Sequence, residues 1–146
     1  MKKETDPRMH SAEHILNQTM DRMFGCGRSF NSHIEKKKSK CDYRLSRSLM
    51  EREIQDIEER VNEVIQAELQ VSEELMSLEE AKTHCDLERL PDDVGNEVRI
   101  VRIGDYDACP CIGRHVNSTE EIGQFRIVSS SFENGVLRIR FKLASR

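Results

Sequence analysis

Residues 124–143, "QFRIVSSSFENGVLRIRFKL", constrain the fold of this chain more than any other stretch. Asn134-Gly135 is the strongest short signal for a two-residue hairpin turn, because both central positions of that turn need positive φ. After the turn come Val136, Leu137, Ile139, Phe141 and Leu143. Four of these apolar residues share one strand face, since side chains alternate along a strand. That face needs a cover, and the rest of the sequence has to supply it.

The cover is legible at 48–69, "SLMEREIQDIEERVNEVIQAEL". Leu49, Ile54, Ile57, Val61, Val64 and Ile65 recur at three- and four-residue steps, as on one face of a helix. Ser48 with Glu51 three residues on predicts a capping box at its start. A second helix is expected over 9–24, with Ile15, Leu16, Met20, Met23 and Phe24 as its apolar stripe and Gly25 and Gly27 ending it. "RSFNSHIEKKKSKCDYRL" reads as two extended pieces around a charged turn. Residues 69–76 read as a strand, 77–85 as a short helix opened by Ser77 and Glu80, and 97–104 as a partly buried strand. Residues 105–123, with proline, glycines and small polar side chains, read as loop. There is no internal repeat. The economical architecture is one α+β domain over 1–146, an antiparallel sheet packed with helices.

Composition narrows the setting. Hydrophobic residues make up 36% of the 146 and charged residues 34%, which suits a small domain with a solvated exterior. No apolar run approaches a membrane span, and "MKKETDPRMH" lacks the apolar stretch of a signal peptide. No membrane is expected, and the cytoplasm is the default location. The five cysteines are odd in number and have no framework spacing, so they are expected to be reduced, and most to be small buried side chains. A net charge of −4 argues against broad, non-specific nucleic-acid binding. It leaves room for local basic faces. Lys36, Lys37, Lys38, Lys40, Arg44 and Arg47 cluster in one stretch; Arg126, Arg138, Arg140, Lys142 and Arg146 form a second set. Charge alone reads these equally well as solvated surface.

Chemistry enters with "MHSAEHILN", residues 9–17. His10 and His14, four apart on a helix, lie one above the other on the same face. About a hundred residues downstream, Cys111 and His115 form a Cys-x-x-x-His pair. Taken singly, each pair is ordinary: surface histidines on a helix, a buried cysteine, a loop histidine. Together they offer three imidazoles and one thiolate, the donors that Zn²⁺ favours in tetrahedral geometry. Cys109 is an alternative to Cys111, and His33 and His84, with no partner at useful spacing, read as surface residues.

At these residues the sequence resembles a known family. "HSAEHIL" followed by "CIGRHVNSTEEIG" is similar to the zinc-dependent editing domain shared by alanyl- and threonyl-tRNA synthetases, and most of all to its AlaX-type trans-editing relatives. The likeness covers nearly the whole chain. It includes Glu58, Asn62 and Ile65 in the family's Glu-x-x-x-Asn-x-x-Ile helix pattern, "VRIVRIGDYDACPCIGRHV" as the strand and loop delivering the second pair, and the closing hairpin. Cys-Ile-Gly-Arg-His stands where full-length forms often have Cys-Gly-Gly-Thr-His, and Arg114 bears on the detailed substrate contacts.

The resemblance implies hydrolysis of a mischarged aminoacyl-tRNA ester, above all Ser-tRNA(Ala), without ATP. It implies action in trans, without an aminoacylation domain or the N-terminal β-barrel of longer AlaX forms. His10, His14 and Cys111 would be firm zinc ligands, and His115 either the fourth ligand or a nearby base. Ser29, Asn31 and Ser32 match the region where the family contacts the serine hydroxyl. Lys36, Lys37 and Lys38 would meet tRNA phosphates, and Asp105 or Asp107 would orient a ligand from behind. Two other readings stand beside it: Ser-tRNA(Thr) deacylation, and a zinc-stabilised RNA- or protein-binding module without catalysis.

Overall fold

The structure, a computed structural model, describes residues 6–83, 97–111 and 113–144. His84, Cys85, Arg146 and the tail of the helix expected over 77–85 lie outside these residues. The first helix, α1, spans Pro7–Phe24. Asp6 caps it by accepting the Arg8 N–H at 2.8 Å, and Pro7 takes the first-turn position where no N–H is needed. It ends at Gly25, whose left-handed φ of 63° lets its N–H reach Asp21 O.

Strands β1 (Asn31–His33) and β2 (Ser39–Arg44) are the two extended pieces expected, antiparallel around the lysine turn. Helix α2 spans Glu51–Gln66, and its start corrects the sequence reading. The cap is Met50, not Ser48: Glu53 accepts the Met50 N–H at 2.8 Å while Arg47 grips the same carboxylate at 2.7 and 2.8 Å. Ser48 stays outside, its carbonyl taken by Arg47. Strand β3 (Val71–Ser77) runs into the short α3 (Leu78–Ala81), where Ser77 Oγ accepts the Glu80 N–H as expected. Strand β4 is Glu97–Ile103.

Part of the stretch read as loop is a strand, β5 (Asp107–Pro110), paired antiparallel with β4. Its two buried positions are Asp107 and Cys109, so no hydrophobic alternation marks it. A single 3₁₀ turn, Thr119–Ile122, leads into β6 (Gln124–Glu133) and β7 (Val136–Ala144). Asn134 and Gly135 have φ of 51° and 78°, the both-positive pair that the two-residue hairpin requires.

The strands form two antiparallel sheets, β1-β2-β7-β6 and β3-β4-β5. One face of the larger sheet presents Cys41, Tyr43, Phe125, Leu137, Ile139 and Phe141, all buried in the core. Against it pack Met9, Ile15, Leu16 and Met20 of α1 and Ile57, Val61 and Ile65 of α2. Each such aliphatic or aromatic side chain contributes roughly 1.5–3 kcal/mol by leaving water. A smaller core joins Met76, Ala81, Val98 and Ile100 under the second sheet.

Two residues of the family's helix pattern have a clear structural task. β6 is an edge of its sheet, and edge N–H groups invite unwanted pairing. Asn62 closes that edge with both ends of its amide: Oδ1 accepts the Phe125 N–H at 2.8 Å and Nδ2 donates to Phe125 O at 2.9 Å. Glu58 accepts the next outward N–H, that of Ile127, at 2.9 Å. Helix α2 is thereby fixed in register on the strand that leads out of the candidate site's loop.

Candidate metal centre

Helix α1 delivers His10 and His14, and the loop after β5 delivers Cys111 and His115. The four donor atoms all lie within 4.8 Å of one another. The His10 ring stacks on that of His115 with centroids 4.4 Å apart, and His14 meets both edge-on at 5.1 and 4.5 Å. Cys111 Sγ sits 3.3 Å from His10 Nε2 and 3.4 Å from His115 Nε2. A tetrahedral site with bonds of about 2.0–2.3 Å has donor–donor edges of roughly 3.3–3.7 Å. The two separations match such edges.

The loop is held in place from two strands. Arg99 on β4 donates to the carbonyls of Cys111 at 3.2 Å and Gly113 at 2.8 Å, and Glu73 pairs with the same guanidinium from β3. The Cys111 N–H returns to Arg99 O at 3.1 Å. Gly113 passes so close to His10 that an added Cβ would overlap ring atoms Cε1 and Nδ1. Only glycine lets the loop reach the helix here. His115 is oriented by Ser11, whose Oγ lies 3.2 Å from His115 Nδ1 and accepts the Val116 N–H at 3.2 Å. That leaves His115 Nε2 toward Cys111.

His14 is gripped from behind. Its Nδ1 lies 3.0 Å from Cys109 Sγ and 3.6 Å from Asp107 Oδ2. The same carboxylate takes two hydrogen bonds from Arg28, at 2.8 and 3.2 Å, and one from Gln18 at 3.0 Å. His14, Asp107 and Cys109 also bring three donor atoms within 4.8 Å of one another. With Asp107 already taken by Arg28 and Gln18, however, this trio is better suited to holding His14 than to holding an ion. Of the two aspartates expected behind a ligand, Asp107 is there; Asp105 is exposed.

The electrostatics favour a thiolate at Cys111 and a neutral ring at His115, while His14 holds its proton. Burial pushes the Cys111 thiol up, but contacts from His10, His115 and His14 outweigh it and bring its pKa down to about 3. Burial, with His14 and His10 nearby, lowers His115 despite the opposing pull of Cys111. For His14, burial disfavours the charge, but Cys109 and Asp107 outweigh it and hold the pKa well above the ordinary value. Burial also pushes Asp107 up, yet His14 and Arg28 pull it down to about 2. His10 Nδ1 is buried with no hydrogen-bond partner among the described residues. The His10 nitrogen beside Cys111 Sγ is Nε2, and a thiolate with three imidazoles is a donor set that fits a soft divalent cation.

The polar trio of the β1 region divides. Ser29 is buried and its Oγ lies 2.7 Å from Ser32 Oγ, which in turn faces Cys41. Asn31 points to the opposite side of the strand, where its amide donates to Asp42 at 3.2 Å. Lys36, Lys37 and Lys38 are exposed. Their turn is tied to the site's helix, because Ser39 donates to Glu35 O at 3.1 Å and lies 3.5 Å from Met9 Sδ. His33 is exposed, as expected. A groove lined by Asp6, Arg8, Asn117 and Glu121 opens beside His115.

Sequence reasoning missed Ser11, Glu13, Gln18, Arg28 and Gly113. Ser11 and Glu13 lie inside the histidine motif itself, and Glu13 is buried with its carboxylate 3.7 Å from His10 Nε2. Gln18, one turn beyond His14, was available from helical spacing; Arg28 carried no local signal.

An α+β domain in which a helix pair and a loop pair converge on one three-histidine, one-cysteine group is the class that fold and site define. Residues 98–140 match the family described as the threonyl and alanyl tRNA synthetase second additional domain. The chain is similar to the alanine–tRNA ligase of Coxiella burnetii (strain Dugway 5J108-111), 38% identical over 125 residues, which is 85% of this chain and 14% of that protein. It is similar to the ligase of Fervidobacterium nodosum, 35% identical over 141 residues, 95% of this chain and 16% of the ligase. The ligase of Shouchella clausii is 36% identical over 132 residues, 89% of this chain and 15% of the ligase. The chain thus spans about one sixth of these relatives or less. Over most of its length it is therefore AlaX-like, similar to one segment of alanine–tRNA ligases, as the motifs implied.

Proposed function

We propose that this domain hydrolyses the ester of a mischarged aminoacyl-tRNA in trans, with Ser-tRNA(Ala) as substrate and Zn²⁺ as cofactor, in the cytoplasm. The observation that supports the reading is the convergence of His10, His14, Cys111 and His115, with Cys111 Sγ 3.3 and 3.4 Å from two imidazole nitrogens. Bound zinc would supply a water of lowered pKa and a Lewis acid for the ester carbonyl.

The residues divide the remaining work. His10, His14 and Cys111 would hold the ion. Asp107 and Cys109, on the far side of the His14 ring, fix its orientation so that the other nitrogen faces the site. His115, which burial shifts toward its neutral form, would serve as fourth ligand or as a base within reach of the same site. Ser29 and Ser32 offer hydroxyls to a serine side chain; a pocket built on such a hydrogen bond rejects alanine, which would leave it unpaired. Lys36, Lys37 and Lys38 meet the tRNA backbone near the helix that carries His10.

One observation favours a second reading. Four donors converge rather than three, and a fully closed site suits a structural zinc. A deacylation panel of Ser-tRNA(Ala), Ser-tRNA(Thr) and Ala-tRNA(Ala), run with and without His14→Ala, tests both. The proposal expects turnover of Ser-tRNA(Ala) alone and its loss in the variant. A chelator should abolish turnover while circular dichroism keeps the folded signature. No turnover with any substrate, together with unfolding by the chelator, assigns the ion to structure.

A further inference from the structure

The face of the larger sheet turned away from α1 and α2 has no described element packed on it. Strand register puts Lys40 and Arg44 of β2 on that face, with Arg138, Arg140 and Lys142 of β7 and Arg126 of β6. The reason lies in the hairpin's own pattern. Leu137, Ile139 and Phe141 are buried in the core, so each intervening cation is forced outward. Two acids share the face, Asp42 and Glu133. Asp42 is consumed by Arg138, which grips it at 2.8 and 3.0 Å. Lys40, Arg126, Arg140 and Lys142 make no ion pair among the described residues. Arg44 lies over the ring of Phe30, 4.3 Å from its centroid, and that ring is itself 41% exposed.

The concentration stands against the balance of the chain, which is −4 overall. The exposed acids gather elsewhere, as with Glu51, Glu59 and Glu63 on α2 and Glu73 and Glu74 on β3. The molecule is therefore electrically two-sided, and such a field orients a polyanion before contact. At the β1–β2 end the cationic face continues through Lys40 into the lysine turn, which Ser39 ties to Met9 beside His10.

We propose that this outer sheet face binds the phosphate backbone of an RNA, with the lysine turn as the path from it to the His/Cys centre. The inference rests on the reading that tRNA is the partner, and it adds the surface. Cations at every second position of one strand meet phosphates without reading bases. The exposed Phe30 ring at the rim offers a stacking surface to an unpaired base.

The test uses unacylated tRNA(Ala) transcript and no turnover, so deacylation can fail without touching it. Binding is followed by fluorescence anisotropy between 50 and 200 mM salt for wild type, for Arg126→Gln/Arg140→Gln/Lys142→Gln, and for a control, Arg52→Gln/Arg60→Gln on the acidic helix. The proposal expects the triple variant to bind about tenfold or more weakly at 0.1 M salt, with a log K versus log salt slope shallower by about 2. The control is expected to match wild type. Single Arg126→Gln and Lys142→Gln variants, each expected to cost about one slope unit or slightly less, serve if the triple variant melts early. Equal affinity and slope in wild type and face variants overturn the proposal. So does an absence of RNA binding at low salt, or capture of phosphatidylserine vesicles in place of RNA.

Discussion

Arg28→Met probes the grip behind the metal centre. Asp107 has a side chain that is 0% exposed, and Arg28, 20% exposed, gives it two of its three nearest hydrogen bonds. Methionine fills similar space without charge, so the variant leaves a buried carboxylate facing only Gln18 and His14. Removing one partner of a buried ion pair costs about 3–5 kcal/mol, and the surviving contacts put this case near the lower end, about 3 kcal/mol. For a domain of this size that is a fall in Tm of roughly 10 °C. The loss should depend on pH in a defined direction. The folded-state pKa of Asp107 is about 2, depressed from 3.8, so its contribution is full above about pH 4 and fades as pH falls toward 2. Without Arg28 the folded carboxyl titrates higher, takes its proton sooner and stops being an unpaired charge. The gap between variant and wild type should therefore be widest near pH 7 and narrow by pH 4. Urea denaturation of the metal-free proteins at both values measures it. A loss below 1 kcal/mol at pH 7, or one unchanged at pH 4, would refute the idea that this pair holds a buried charge.

Two further perturbations address the loop and the edge strand. Gly113→Ala places a methyl group against the His10 ring, and forced overlap of this kind typically costs 1–3 kcal/mol. Zinc retention against a chromogenic chelator should fall by about tenfold or more while the helical signal is kept; unchanged retention would mean the loop moves freely. Asn62→Ala removes both hydrogen bonds to Phe125, and two net bonds are worth about 2 kcal/mol. Amide exchange at Phe125 should accelerate in step with that loss, and protection equal to wild type would show that the strand holds its edge without the helix.

The sequence carried the fold wherever burial has a simple period. The hairpin and both long helices stand where apolar spacing or a glycine placed them, because those elements bury one continuous stripe, and the β1–β2 pair follows the charged turn between two extended pieces. It failed at two points for related reasons. β5 buries an aspartate and a cysteine, so a strand inside the site has no apolar rhythm to betray it. At α2, Ser48 and Glu51 have the right types and spacing for a cap, but the Arg47 clamp on Glu53 favours a start further along. Local pattern cannot rank two possible caps when a neighbouring side chain decides between them.

The site repeats the lesson at closer range. The four side chains that cluster there were legible because histidine and cysteine four apart form short motifs. Their support was not, because Arg28 meets Asp107 across 79 positions and Arg99 meets the Cys111 loop through carbonyls that any residue could offer. The division has a physical logic. His10 and His14 sit on a helix buried on several sides, so their spacing is fixed before any ion arrives. Cys111 and His115 sit on a loop that could drift, and each feature around it removes a freedom: Arg99 pins two carbonyls, Gly113 permits contact with His10, and Ser11 turns the His115 ring. A loop held this firmly places His115 Nε2 3.4 Å from Cys111 Sγ. Preorganisation of that kind lowers the ordering cost of metal binding. On the proposed reading, one rotation of the His115 ring away from Cys111 would open the fourth position to water, and a ring kept beside Cys111 would close it.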